Sequence, residues 1–177
     1  MTELVVLLDE SGSPCGTAPK VDVHGPKTPY HLAFSCYAFD DRGRLLVTRR
    51  AVTKTTWPGV WTNTCCGHPR PGEEVAEAVH RRLKEELGLQ ALDLELALPE
   101  FSYRATYQGV EEYELCPVFL SRASIEPRPD ASEVADYEWM TFDAFAGRPD
   151  ISPWAQLQVG LLRPLVEPYC SRTAFRR

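Results

Sequence analysis

The segment Asn63–Thr64–Cys65–Cys66–Gly67–His68 places a thiol and an imidazole two residues apart, directly before a charged stretch of the chain. In extended backbone, alternate side chains point to the same face, so Cys66 and His68 would share a face that Cys65 does not. A reactive sulfur and a metal ligand would then line one wall of a pocket. This spacing singles out Cys66 as the cysteine most suited to chemistry.

Two further histidines and a pair of carboxylates could complete a metal site with His68. Glu112 and Glu114 are two apart, so in a strand they would aim both carboxylates at one point. With His24 and His31 they would offer nitrogen and oxygen ligands, a set that suits zinc, manganese or iron. From spacing alone, a solvated strand face remains the more frequent explanation of the two glutamates. His80 lies among charged residues of a predicted helix and is left out of the site.

Basic residues near one predicted strand could hold an anionic group. Arg49, Arg50 and Lys54 follow each other closely and Lys20 lies in the early segment, so together they could bind a diphosphate by charge-assisted hydrogen bonds. Glu86 could hold Mg²⁺, which would bridge to the phosphate oxygens. An ordinary surface cluster of charges is the alternative.

Composition limits the class of protein. The chain has 177 residues, of which 44% are hydrophobic and 25% charged, which predicts one globular domain over residues 1–177. A formal net charge of -6 argues against a nucleic-acid binder, whose surface is usually basic. Six cysteines without framework spacing, and no signal segment before them, indicate reduced thiols in the cytoplasm. No apolar run reaches the length of a membrane span, so no membrane association is expected.

Apolar periodicity predicts several strands and two helices. One helix covers residues 74–87, with Val75, Val79, Leu83 and Leu87 on one stripe and a stop at Gly88. A second begins near Pro153, carries Leu157, Leu161 and Leu165, and is expected to bend or shorten at Pro164. Loops are predicted for residues 10–29 and 126–130. The predicted strands are Leu4–Leu8, His31–Phe39, Leu45–Arg49, Phe101–Tyr107, Tyr113–Leu120 and Tyr137–Met140. Together these predict an α+β or α/β fold with a mixed sheet between helices.

The helix and its flanks resemble the Nudix box, a loop-helix-loop that handles diphosphates. The pattern runs from Gly67 through Glu73 and Arg81–Arg82–Leu83 to Glu85, Glu86 and Gly88–Leu89. Its usual form has a glutamate where this chain has Arg82. The resemblance implies a Nudix-like fold, and Arg82 implies a weakened version of the metal cluster that hydrolytic members use to activate water.

Other segments make the resemblance more specific. They are similar to those of type I isopentenyl-diphosphate isomerases, occur in that family's order and cover most of the chain. These segments are His31–Ser35, Leu45–Arg50, Trp57–Asn63, Cys66–Pro69, Tyr103–Thr106 and Glu114–Phe119. The resemblance implies the interconversion of isopentenyl diphosphate and dimethylallyl diphosphate, in which a double bond moves and no phosphate bond breaks.

The resemblance also implies roles for individual residues. Cys66 and Glu114 would transfer protons, with Tyr103 beside Glu114 and Trp154 stabilising a carbocation. A divalent metal, manganese or zinc, would be bound by His24, His31, His68, Glu112 and Glu114. Mg²⁺ would accompany the diphosphate near Glu86 and the backbone of Cys66. Lys20, Arg50 and Lys54 are the predicted substrate-binding residues.

Two rival hypotheses remain open from the sequence. A Nudix pyrophosphohydrolase would use Glu73, Arg81, Glu85 and Glu86, but Arg82 counts against it. A noncatalytic binding module stabilised by its metal would show no open pocket. The early segment, residues 11–29, is a candidate lid that would exclude water from the site. The oligomeric state is left open.

Overall fold

The computed structural model describes residues 3–174. It contains twelve strands and four helices in these residues. The strands are β1 (Leu4–Leu8), β2 (Pro14–Pro19), β3 (His31–Leu32), β4 (Phe34–Phe39), β5 (Leu45–Arg50), β6 (Trp61–Thr62), β7 (Cys65–Gly67), β8 (Leu92–Leu98), β9 (Ser102–Tyr107), β10 (Val110–Leu115), β11 (Val118–Arg122) and β12 (Val134–Met140). The helices are α1 (Lys20–Val23), α2 (Val75–Leu87), α3 (Phe142–Ala146) and α4 (Pro153–Ala174). The prediction of one domain over 1–177 reaches beyond the described residues at both ends and stays a prediction.

The strands form two mixed sheets. The first has the order β2-β1-β3-β10-β9. The second has the order β12-β5-β4-β11-β8, with β6 added to β5 and β7 added to β4. Parallel pairing occurs between β3 and β10 in the first sheet and between β4 and β11 in the second. The predicted mixed-sheet α+β architecture is confirmed, although the strands divide between two sheets.

Two segments that were each predicted as one strand are divided into two strands, one in each sheet. The predicted strand His31–Phe39 is interrupted at Ala33, and the predicted strand Tyr113–Leu120 is interrupted at Cys116–Pro117. The pair stays connected at the crossing, because Ala33 N–H donates to the Leu115 carbonyl at 2.8 Å and Ser35 N–H donates to the Pro117 carbonyl at 3.1 Å. Pro117 has no N–H, which favours a break in the ladder at this point.

The second sheet is packed between helices. Strand β4 is buried along its whole length, with Tyr37 and Phe39 in the core on one side and Phe34, Cys36 and Ala38 in the core on the other. Helices α3 and α4 cover the first side and α2 covers the second. A strand buried on both faces reads as a continuous apolar run, which is why β4 was easy to find in the sequence.

Helix α2 begins one residue later than predicted and ends at the predicted residue. Its last carbonyls are capped by the Gly88 N–H, and Gly88 adopts φ 64°, a left-handed conformation that suits glycine. The predicted stripe of Val79, Leu83 and Leu87 is buried. Arg82 and Glu86 are also buried on this helix, which brings charge to its inner surface.

Helix α4 runs through both of its prolines, so the expectation that Pro164 shortens the helix was wrong. Pro164 and Gly160, whose carbonyl the missing N–H would have contacted, are both exposed, so that carbonyl can be hydrated. The three leucines Leu157, Leu161 and Leu165 are exposed, and the buried side of α4 carries Trp154 and Gln158 instead. No helix among residues 3–174 is both long and apolar enough to span a bilayer.

The prediction of a loop over residues 10–29 was wrong. This segment contains β2, which pairs antiparallel with β1, and the short helix α1. The sequence analysis also missed β6, β7, β8 and α3. The predicted loop at residues 126–130 is confirmed. Movement of the early segment as a lid stays a prediction.

Gly67 lies where a larger residue cannot fit, and this predicts an effect on stability. A Cβ at Gly67 would lie 3.0 Å from Arg82 Cγ and 3.1 Å from two ring carbons of Phe34. We expect Gly67→Ala to lower the free energy of unfolding by about 1–3 kcal/mol, as overpacking does. Urea unfolding measures this change.

Gly160→Ala is the matched control, because a Cβ there meets no atom within 4 Å in the described chain and the site is helical. It should raise the free energy of unfolding by about 0.5–1 kcal/mol. Equal stability of the two variants would contradict the tight packing around Gly67.

Candidate active site

A cavity of about 350 Å³ opens where the two sheets diverge. Its wall includes ten residues selected from the sequence: Lys20, His24, Arg50, Lys54, Cys66, His68, Tyr103, Glu112, Glu114 and Trp154. His31 is fully buried and contacts His68 and Glu114 of this wall. These residues come from both sheets and from α1 and α4, so they are distant in sequence and close in space.

Strand register explains the imidazole and carboxylate cluster. Glu114 of β10 lies opposite His31 of β3 on one side and opposite Tyr103 of β9 on the other. Glu114 Oε1 is 3.2 Å from His68 Nε2 and 3.4 Å from His31 Nε2, and the two imidazole nitrogens are 3.2 Å apart. Donor atoms of His24, His31, His68 and Glu114 all lie within 4.8 Å of one another. That spacing suits ligands that surround one ion.

Glu112 and His24 close the same cluster from another side. Glu112 Oε2 lies 3.1 Å from His24 Nε2 and 4.0 Å from His31 Nε2. Within residues 3–174, both Glu112 Oε2 and His24 Nε2 are buried without a hydrogen-bond partner. Buried polar atoms left unpaired are costly, so these two fit a divalent cation held between them. The donor set of three imidazoles and two carboxylates suits zinc or manganese.

Burial disfavours the charged form of all three histidines of the cluster, but at His31 the hydrogen bond and charge of Glu114 outweigh burial and raise the pKa. Burial lowers the pKa of His24 to about 4 and that of His68 to about 4, so both of these rings are neutral near pH 7. A neutral imidazole keeps a lone pair for a metal. Burial would raise the pKa of Glu114, but hydrogen bonds from His31 and His68 hold it below its usual value. Burial beside Glu114 raises the pKa of Glu112 well above its usual value.

Cys66 is held on β7, which pairs with β4 so that Cys66 lies opposite Ser35. Its thiol donates to Asn63 Oδ1 at 3.2 Å, and its sulfur is 3.6 Å from Ser35 Oγ. Burial raises the pKa of the Cys66 thiol to about 11, so the group carries its proton at neutral pH. Cys65, as predicted from the alternation of side chains, faces the opposite core beneath α2.

Tyr103 and Trp154 complete the wall. The Tyr103 hydroxyl donates to Glu114 Oε2 at 2.8 Å, and burial raises the pKa of Tyr103 well above its usual value. The Trp154 indole N–H donates to Asn63 Oδ1 at 3.1 Å. Its ring lies 5.9 Å from the Tyr103 ring centroid and 5.4 Å from that of Trp57. The cavity therefore has an aromatic side between the thiol and the carboxylate.

Three of the four predicted cationic residues, Lys20, Arg50 and Lys54, line the cavity, and each has a partner, whereas Arg49 is absent from this wall and donates to the Gly59 carbonyl at 2.9 Å. Lys20 Nζ is 3.0 Å from Glu3 Oε2, and Lys54 pairs with Glu133. Arg50 donates to the Thr56 carbonyl, and its guanidinium carbon lies 5.8 Å from the centroid of the Trp154 ring. Arg82, which the sequence analysis did not assign to substrate, also lines the cavity.

Glu86 is absent from the cavity wall described here. Its Oε1 accepts from Arg82 Nε at 3.0 Å and from Arg82 Nη2 at 2.5 Å. Arg82 also lies 3.1 Å from Glu85 and 3.2 Å from Glu133. A cation at Glu86 would have to use Oε2 or displace Arg82, so Glu86 as a magnesium ligand stays a prediction.

Sequence reasoning missed the polar residues that support the thiol. Asn63 and Ser35, both fully buried, contact Cys66, and the buried Gln158 donates to Ser35 Oγ at 3.0 Å. Asn63 lies in the Trp57–Asn63 segment, three residues before Cys66. That proximity was the only signal in the sequence, because an uncharged amide has no chemistry of its own to attract notice.

Comparison with known proteins agrees with this fold and site. Residues 29–158 match the NUDIX domain family, so the chain belongs to the Nudix family. The chain is 57% identical over 152 residues to the isopentenyl-diphosphate Delta-isomerase of Frankia alni, covering 85% of this chain and 78% of the relative. It is 56% identical over 165 residues to that of Mycolicibacterium vanbaalenii, covering 90% and 91%. The chain therefore belongs to the isopentenyl-diphosphate Delta-isomerase family, which confirms the resemblance described from the motifs.

Solved structures show the same fold at low identity. A protein of Deinococcus radiodurans superposes with a TM-score of 0.67 at 21% identity, covering 91% of this chain and 98% of that one. A MutT NUDIX hydrolase of Burkholderia pseudomallei superposes with a TM-score of 0.61 at 21% identity, covering 75% and 98%. These likenesses concern the fold alone.

The histidine and glutamate cluster predicts stabilisation by metal. We expect Zn²⁺ or Mn²⁺, added to chelator-treated protein at about 100 times its Kd, to raise Tm by about 5–10 °C. Glu114→Gln should reduce this rise, because it removes the charge of a ligand. His80→Gln is the control, since His80 is an exposed histidine of α2 outside the cluster. Equal rises in the unsubstituted protein and Glu114→Gln would contradict the site; thermal unfolding followed by circular dichroism measures them.

Proposed function

We propose that this chain interconverts isopentenyl diphosphate and dimethylallyl diphosphate by adding a proton to the alkene and removing another. The observation that carries this proposal is that a thiol from one sheet and a carboxylate from the other line one cavity with a cluster of cations. The membership of the isomerase family supports the same reaction.

The cationic part of the cavity is proposed to bind the diphosphate. Lys20, Arg50 and Lys54 lie there, and phosphate oxygens can replace their present partners as acceptors. Mg²⁺ is proposed to bridge the diphosphate to this region near Glu86 and the backbone of Cys66. The diphosphate is negative and the chain as a whole also carries a negative net charge. Both the cationic side chains and Mg²⁺ are therefore proposed to offset the charge of the diphosphate.

His24, His31, His68, Glu112 and Glu114 are proposed to hold manganese or zinc. The buried His24 and Glu112 atoms that lack a hydrogen bond and the neutral imidazoles of His24 and His68 support this assignment. When bound, such an ion would withdraw electron density from the Glu114 carboxylate.

Cys66 and Glu114 are proposed to carry the two proton transfers. An alkene is a very weak base, so its protonation needs a donor held at the terminal carbon of the double bond, and the reaction is completed by an acceptor held at the CH₂ group on the other side of the cationic carbon. The Cys66 thiol is protonated at neutral pH, and the Tyr103 hydroxyl shares a hydrogen bond with Glu114 at 2.8 Å. A proton can therefore pass to or from the Glu114 and Tyr103 pair on one side and the sulfur on the other.

Trp154 is proposed to stabilise the tertiary carbocation formed between these transfers. The face of an indole ring attracts a cation by about 2 kcal/mol or more when water is excluded. Trp154 is almost fully buried, with 4% of its surface exposed, and lines the cavity. An aromatic face also cannot add to the carbocation as an oxygen nucleophile would, which protects the intermediate.

Two other functions are less well supported. A pyrophosphohydrolase needs carboxylates free to hold metal ions, whereas Glu85, Glu86 and Glu133 all contact the Arg82 guanidinium. A noncatalytic metal-stabilised module gives no reason for an open cavity lined by a thiol and lysines. The prediction that the protein binds no nucleic acid is unchanged. We also propose a reducing, cytoplasmic location, supported by free thiols at Cys15, Cys36, Cys65, Cys66 and Cys116.

One assay separates the three functions. The protein is incubated with isopentenyl diphosphate and Mg²⁺ in D₂O, and the products are analysed by NMR and by a phosphate assay. We expect dimethylallyl diphosphate that carries deuterium, because the delivered proton comes from an exchangeable group, and no released phosphate. Phosphate without isomer would favour the hydrolase, and neither product would favour the binding module.

Replacing the thiol gives a more specific prediction. We expect Cys66→Ser to lower kcat by about 10²- to 10⁴-fold, because a hydroxyl is a much poorer proton carrier than a thiol in this position. Cys15→Ser, at an exposed cysteine of β2, is the control and should leave kcat unchanged. Steady-state kinetics measures both, and near-normal turnover by Cys66→Ser would refute the role of Cys66.

A further inference from the structure

Asn63 is a buried amide that contacts two of the proposed catalytic side chains at once. Its exposed fraction is 0%, and its Oδ1 accepts from the Cys66 thiol at 3.2 Å and from the Trp154 indole N–H at 3.1 Å. We propose that Asn63 is a positioning residue that fixes the Cys66 sulfur and the Trp154 ring relative to each other. This inference rests on the proposed isomerase function for its kinetic part only.

The orientation of the Asn63 amide is determined by its other contacts. Its Nδ2 donates to two backbone carbonyls, those of Cys36 at 3.0 Å and Cys65 at 2.9 Å. A carbonyl oxygen cannot donate, so exchanging the amide nitrogen and oxygen would leave both carbonyls facing an acceptor. The oxygen must therefore point toward Cys66 and Trp154. Backbone of β4 and β7, rather than a mobile side chain, holds the amide in place.

Three donors meet at this one oxygen. Besides Cys66 and Trp154, the Thr62 hydroxyl donates to Oδ1 at 2.8 Å and lies 2.9 Å from Ser152 Oγ. Ser152 immediately precedes α4, and its N–H donates to the Trp61 carbonyl at 2.8 Å. The amide thus joins the start of α4, which carries Trp154, to the segment that carries Cys66.

The contacts of Asn63 Oδ1 affect the position of both the Cys66 thiol and the Trp154 ring at the cavity. Oδ1 accepts the S–H proton, so this contact holds the Cys66 sulfur at a fixed place beside the cavity. Rotation about the Cβ–Sγ bond then turns the proton from the amide to the substrate without moving the sulfur. The bond to the indole N–H fixes the edge of the Trp154 ring, so the orientation of the ring face toward the substrate carbon is set by the same atom. A displacement of about 1 Å in either group can cost about 10²-fold in rate.

Kinetics of Asn63→Ala tests this positioning role. We expect kcat for isomerisation to fall by about 10- to 100-fold, whereas KM for isopentenyl diphosphate should change by less than about threefold, because Lys20, Arg50 and Lys54 do not contact Asn63. Thr48→Val is the matched control. It removes a buried hydroxyl that donates to the Asn63 and Thr64 carbonyls, at 3.0 Å and 3.3 Å, and touches neither the thiol nor the indole. Its kcat should stay within about threefold of the unsubstituted enzyme.

A spectroscopic comparison tests the geometry first in the unsubstituted protein and then in the variants Asn63→Ala and Thr48→Val. Among residues 3–174, Trp57 Nε1 is buried without a hydrogen-bond partner, whereas Trp154 Nε1 donates to Asn63. In ¹H–¹⁵N spectra of the unsubstituted protein, assigned with Trp57→Phe and Trp154→Phe, the Trp154 indole proton should resonate downfield of that of Trp57. In Asn63→Ala it should move upfield, and in Thr48→Val it should not move.

These outcomes separate the two proposals. If the unsubstituted protein lacks isomerase activity, the proposed function fails and the indole resonances still decide whether Asn63 holds Trp154. If Asn63→Ala proves unfolded by urea titration, the comparison of Trp57 and Trp154 in the unsubstituted protein decides. A folded Asn63→Ala enzyme with kcat within threefold of the parent, or a Trp154 resonance no further downfield than that of Trp57, would overturn the positioning role.

Discussion

The crossing of one strand pair from the first sheet to the second determines the rest of the site. At Ala33 and at Cys116–Pro117 the two segments leave one sheet and enter the other while staying hydrogen-bonded to each other. Sheets that diverge from a shared pair must open a wedge between them. His31 and Glu114 lie just before the crossing, and Ser35 with its partner Cys66 just after it, so imidazole, carboxylate and thiol face the same wedge. No loop needs to move for these groups to meet.

Burial in this wedge gives ordinary side chains unusual protonation states. It lowers the pKa of His24 and His68 to about 4 and raises that of the Cys66 thiol to about 11, so the two rings proposed as metal ligands are neutral and the thiol keeps its proton. The same loss of solvation leaves the polar atoms of His24 and Glu112 in need of a partner. The proposed divalent ion would satisfy them together. The residues proposed for proton transfer and those proposed for metal binding thus depend on a single physical cause, the exclusion of water.

The sequence was sufficient for elements whose pattern is local. The stripe of α2, its stop at Gly88 and the apolar run of β4 are set by neighbouring residues, and all were predicted. The break of Tyr113–Leu120 was missed because it depends on pairing with β3 and β4, about 80 residues away. Strand β2 was missed because its Gly and Pro residues suit a loop, and pairing with β1 overrides that preference. Candidate site residues were predicted where the side chain carries a charge or a thiol. Asn63 was missed because its proposed role depends only on the side chains that it contacts.

The position of Arg82 separates the carbon chemistry proposed for the cavity from phosphate chemistry on the Nudix helix. Its guanidinium contacts Glu85, Glu86 and Glu133, and so neutralises carboxylates that would otherwise gather metal ions. A guanidinium has no open coordination position and no proton to lose near pH 7, so it cannot activate a water molecule. The same residue reaches the cavity wall, where its charge favours a bound diphosphate. One substitution in the box would therefore both favour the proposed diphosphate and withhold the hydroxide that would cleave it, which leaves the Cys66 thiol and Glu114 as the groups proposed to react.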